Sequence, residues 1–205
     1  MKIVVLLSAV ALLFLTGCAG FRGGIASAPY LGETVPRAPC PSTSYERMQT
    51  GNIAFPGLDM LVSLNNTIRT YEFSVVACLF PVHLDMKDTA YDGTGSKLEV
   101  LLRFRSLEPG YSFRRDLAVV NVDGHEFCQS AVESAPGKAG SVVSNAETVL
   151  TPVGKFYSFR LVFEVPVPHP DSDVSLDLSK ALRHKDCPVI PLIRFQRIRW
   201  SEGYN

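Results

Sequence analysis

From residue 58 onward, apolar and polar positions alternate with period two, the spacing of half-buried β-strands. Leu98, Val100, Leu102 and Phe104 alternate with Glu99, Arg103 and Arg105, which predicts one buried face and one wet face. Tyr157, Phe159, Leu161, Phe163 and Val165 repeat the pattern over a longer run. Leu117 to Val122 and His125 to Cys128 flank Asp123-Gly124, a dipeptide that favours the type I′ turn of a tight hairpin. Leu58 to Leu64 and Ile68 to Leu84 flank Asn65-Asn66, and asparagine tolerates left-handed backbone, so a second hairpin is expected there. Val75 to Phe80 is apolar on both faces, as in a central strand.

Near the C-terminus, Ile193 and Phe195 are one residue out of phase with Ile198 and Trp200. A β-bulge near Gln196-Arg197 would restore the register. Leu176 to Arg183 reads as a late helix of about two turns, and Thr43-x-x-Glu46 as a capping box opening a short early one that stops at Gly51. Seven or eight strands with one or two short helices predict an antiparallel β-sandwich, Ig-like or a similar two-layer fold.

The chain opens differently. Met1-Lys2 is a short positive start, and Ile3 to Leu15 form an apolar run broken only by Ser8, ending in Leu15-Thr16-Gly17-Cys18. The run is short for a membrane span and fits a signal-peptide core. Its end resembles the lipobox of bacterial lipoproteins, in which a thiol is acylated and a peptidase cuts before the cysteine. The resemblance covers only residues 1–18 and implies an acylated Cys18. Ala19, where Asp would mark inner-membrane retention in many Gram-negative bacteria, resembles an outer-membrane address facing the periplasm. Ala19 to Pro39 is rich in glycine and proline and reads as a flexible tether, averaging roughly 25 Å end to end. The organisation expected is therefore a signal peptide at 1–17, a lipidated cysteine and tether at 18–39, and one β domain at 40–205.

Charge narrows the partners. The 205 residues carry 20 basic and 20 acidic side chains, and this balance argues against a nucleic-acid binder, which needs a cationic surplus. The partners expected are a membrane, through the lipid, and another envelope protein. Besides Cys18, four cysteines remain: Cys40, Cys78, Cys128 and Cys187. In an exported protein an even number suggests disulfides, with three connectivities open. Cys40 and Cys187 both precede proline while Cys78 and Cys128 fall in strands, which favours those two pairings.

Constellations with chemistry in them mostly dissolve on inspection. His125-Glu126-x-Cys128 places its histidine and glutamate on opposite sides of a strand. Asp171, Asp173 and Asp177, and separately Asp85, Asp88 and Asp92, fail the calcium-loop pattern, and no cysteine spacing suits zinc. No metal or cofactor is expected. Arg194, Arg197 and Arg199, with Arg103, Arg105, Arg114 and Arg115, form a candidate basic face for lipid head groups or an acidic partner. The expected role is a non-enzymatic interaction or assembly module of the cell envelope; the alternative is an envelope hydrolase or ligand-binding protein with a site assembled from distant residues.

Overall fold

The computed structural model describes residues 19–32, 51–76, 80–85, 97–131, 148–150, 153–186 and 188–204. The protein is mainly β. The strands are β1 (Ala19–Leu31), β2 (Gly51–Phe55), β3 (Leu58–Leu64), β4 (Ile68–Val76), β5 (Phe80–Asp85), β6 (Lys97–Ser106) and β7 (Ser112–Phe113). They continue with β8 (Val119–Val122), β9 (His125–Ala131), β10 (Thr148–Val149), β11 (Phe156–Pro166), β12 (Val174–Asp177), β13 (Leu182–Arg183) and β14 (Ile193–Tyr204). Eleven form one antiparallel sheet in the order β2-β3-β6-β11-β9-β8-β12-β14-β1-β4-β5, and β10-β7-β13 form a small second one.

The sheet curls so that both its halves share one core. Met60 and Val62 of β3, Leu102 and Phe104 of β6, and Phe159, Leu161 and Phe163 of β11 are buried in the same cluster as Val120 of β8, Leu176 of β12 and Ile193 and Phe195 of β14. Phe113 of the small sheet enters that cluster and packs edge-on against Phe104, ring centroids 4.9 Å apart. Alternation on β6 and β11 follows the sequence: Leu98, Val100, Leu102 and Phe104 are buried, as are Phe159, Leu161 and Phe163, with Tyr157 and Val165 partly so, and Glu99 and Arg160 meet outside through a 2.9 Å hydrogen bond. The Asp123-Gly124 hairpin also forms, joining β8 to β9 with φ of 51° and 88°, and Asn121 Oδ1 accepts from the Gly124 amide at 2.9 Å.

Five expectations need correction, each for a local reason. Asn65-Asn66 does not close a hairpin, because β3 pairs with β2 and β6 while β4 pairs with β1 and β5. The asparagines instead fasten a crossover. The Asn65 amide nitrogen donates to Lys97 O at 3.0 Å, its oxygen accepts from the Glu99 amide at 2.9 Å, and Asn66 Nδ2 donates to Ser27 Oγ at 2.8 Å. The run Val75 to Phe80 is not one central strand: β4 ends at Val76 and turns back as β5, with Val76 opposite Phe80. Leu176 to Arg183 is not a helix. Val174, Leu176 and Leu178 are buried in alternation, β12 pairs with β8 and β14, and Asp177 Oδ1 accepts from the Ser179 amide at 2.8 Å to start a turn leading into β13.

The glycine-rich stretch after Cys18 is not a tether over residues 19–31. It is β1, paired with β14 along twelve residues on one side and with β4 on the other. Gly23 and Gly24 within it are packing glycines. A Cβ on Gly23 would sit 2.6 Å from the Trp200 carbonyl oxygen, and one on Gly24 would sit 2.9 Å from the Ile68 carbonyl carbon.

The phase slip in β14 has a cause other than a bulge. Pairing with β1 runs through it unbroken, with Ala28 opposite Gln196 and Ser27 opposite Arg197. Ile193 and Phe195 face the main core, whereas Ile198 and Trp200 lie on the sheet's other face, buried with Ala26 and Ala28 in a second cluster. One straight strand thus serves two cores on opposite faces. The expected early helix near Thr43 and Glu46 lies outside the described residues. Among the described residues no helix is long and apolar enough to cross a membrane.

Candidate functional site

The crossing from one core to the other leaves part of β14 uncovered. On the face that buries Ile193 and Phe195, the next odd positions are Arg197 and Arg199, both exposed. Antiparallel register puts directly opposed residues on the same face. Arg197 therefore shares a face with Ser27, Arg199 with Ile25, and Ser201 with Gly23, whose partner on the far side is Tyr71. These strands bound a concave site of about 450 Å³, to which Ile25, Thr70, Tyr71, Arg197, Arg199 and Ser201 contribute along with Gly24 and Trp200.

Each polar group here is set by its strand. Arg197 is oriented by Asp171, in the segment preceding β12, whose carboxylate oxygens accept from its Nη1 at 2.8 and 3.2 Å. Arg199 makes no hydrogen bond or ion pair among the described residues. The Tyr71 ring lies over Gly23, where any side chain would displace it, and 38 % of the tyrosine stays exposed. Thr70 Oγ1 donates to Gly23 O at 3.4 Å, holding the irregular crossing where β4 shifts register against β1 between Gly23 and Gly24. The net result is one guanidinium beyond those matched by carboxylates, beside a phenol and two hydroxyls. Comparison with family models, with curated proteins and with solved structures finds no match to this chain. Its chemistry has to be read from the side chains themselves.

The seven arginines of the candidate basic face do not assemble. Arg194 lies opposite Tyr30 and so projects from the other face of β14 than Arg197 and Arg199. Arg105 is paired with Asp59, and Arg103 and Arg105 stack over the Phe156 ring at 4.9 and 5.1 Å. Arg114 is paired with Asp116, whose carboxyl that hydrogen bond holds below the usual carboxylate range. Arg115 is buried with its guanidinium 5.5 Å from the Phe159 ring centroid, and burial pushes its pKa down.

Other singled-out residues go separate ways. His125, Glu126 and Cys128 are exposed along β9, and Cys128 is a free thiol among the described residues, while Cys78, expected to pair with it, lies outside them. Cys18, Cys40, Cys78 and Cys187 lie outside the described residues. Asp171 serves Arg197, Asp123 Oδ1 accepts from the Asp173 amide at 2.9 Å, and Asp177 caps a turn, so these carboxylates do not converge on a cation. Among the described residues no group of three or more metal-ligating side chains comes together. Parity alone separates Arg194 from Arg197 and Arg199 in the sequence. Nothing in the sequence links Tyr71 and Thr70 to them, since that depends on β1 standing between β4 and β14.

Proposed function

We propose that this chain is a lipid-anchored cell-envelope protein whose β body is a non-enzymatic interaction module. The observation that carries the reading is Leu15-Thr16-Gly17-Cys18 at the end of a short apolar run, directly ahead of a strand that begins at Ala19. Acyl chains on Cys18 hold the protein on a membrane, and several chains on one residue bind far more firmly than one. With β1 running on from Ala19, the body is carried close to the lipid surface. The groove supports binding rather than turnover, because guanidinium, phenol and hydroxyl groups are donors suited to holding an anion.

Mass spectrometry of membrane-derived protein tests the anchor. The mature N-terminus is expected at Cys18 with added acyl mass, and Cys18→Ala should release the protein or leave uncut precursor. A soluble mature form starting at another residue would overturn the proposal.

A further inference from the structure

We propose that the groove between β14 and β4 is a binding site for a phosphate group, with Arg199 as its principal ligand and Arg197, Tyr71 and Ser201 around it. This deepens the anchored-module reading by naming the chemistry that the body meets, but it stands on the groove's own geometry.

Arg197 and Arg199 are two residues apart on one strand face, so their stems emerge about 7 Å apart. That span lets two guanidiniums approach one tetrahedral anion. Arg197 is already neutralised and fixed by Asp171. Arg199 makes no hydrogen bond or ion pair among the described residues, and its charge is left to an external partner. Its planar fork matches a phosphate edge with two parallel hydrogen bonds.

The remaining donors decide between anions. Tyr71 comes from β4 and the arginines from β14, with β1 between them, so donors arrive from strands about 10 Å apart. A carboxylate offers two oxygens in one plane, whereas a phosphate's oxygens point toward both walls. Ile25 and the Tyr71 ring give the cavity an apolar side, which fits the carbon skeleton of a phosphate ester. Gly24 lies six residues after Cys18, so extended chain separates the groove from the anchor by at most about 20 Å. A phospholipid head group and a small soluble phosphate ester are the two sources of this chemistry within reach.

The test uses the full protein as purified, in neutral detergent micelles at physiological salt, titrated calorimetrically with glycerol 3-phosphate. Saturable binding is expected, weakened about tenfold or more by Arg199→Gln and about threefold by Tyr71→Phe. Arg194→Gln, on the opposite face of the same strand, should leave it unchanged. Thermal melts showing an unshifted midpoint for Arg199→Gln separate lost binding from lost folding. Doping the micelles with phosphatidylglycerol distinguishes the sources: competition with glycerol 3-phosphate assigns the site to lipid head groups, and unchanged affinity assigns it to a soluble ester. Absence of saturable binding, or binding equally sensitive to Arg194→Gln and Arg199→Gln, would overturn the site. These outcomes are independent of the acyl mass on Cys18, so either proposal can fail alone.

Discussion

At the scale of single residues, several side chains carry meanings that composition alone assigned otherwise. Gly24 belongs to a stretch that reads as tether, yet its α-carbon abuts the β4 backbone at Ile68. Gly24→Ala should therefore destabilise the protein by about 1–3 kcal/mol, the usual cost of overpacking. In a tether the same change would stay within about 0.5 kcal/mol, so a denaturant melt decides between the two. Asp116 makes a second case. Its hydrogen bond from Arg114 holds the carboxyl below its ordinary value. The contribution is present above the unfolded value of about 3.9 and disappears as pH falls through the lower folded value. An NMR titration should find the Asp116 midpoint depressed, and Arg114→Ala should bring it back up. Cys128, exposed and free, should react with a maleimide in the folded protein. The asparagines show why residue chemistry misleads: Asn65 and Asn66 suit a hairpin, but their partners Lys97, Glu99 and Ser27 are far along the chain and invisible to local reading.

Among elements, legibility follows how completely one face is buried. β6 and β11 sit mid-sheet with one face on the core, and their period-two pattern announces them. Phe159→Ala should cost about 3–5 kcal/mol, since Phe159 packs among Phe104 and Phe113. Arg160→Ala should cost no more than about 1 kcal/mol, the loss of a part-exposed pair with Glu99. Equal damage from the two in urea melts would undo the strand assignment. β12 escapes because Leu178, Ala181 and Leu182 carry the i, i+3, i+4 spacing of a helical stripe, and the alternation of Val174, Leu176 and Leu178 is too short to outweigh it. The phase slip of β14 is legible but its cause is not, because a sequence reports which residues are buried and not which of two cores receives them. Part of the groove is legible: Arg197 and Arg199 belong to the candidate basic face together with Arg194, which the structure places on the other side of the strand, while Tyr71 reaches them only through β1.

For the molecule as a whole, alternation announced the β class, but strand order was hidden. The sheet is built from partners remote in sequence, as with β3 beside β6 and β1 beside β14. Such topology implies slow folding, in the range of milliseconds to seconds, which stopped-flow fluorescence of Trp200 should record. The pairing of β1 with β14 has a further consequence, in time rather than space. The first of these strands to be synthesised is completed only by the last, so the β14-facing edge of β1 waits through the synthesis of every strand between them with its hydrogen-bonding groups unmatched. A long apolar strand left bare for that interval would recruit other chains. Glycines at 20, 23 and 24, a proline at 29 and small alanines and serine between them make a waiting strand that sticks poorly to strangers. The composition that imitates a tether is what lets the sheet's penultimate gap stay open until the end of the chain arrives to fill it.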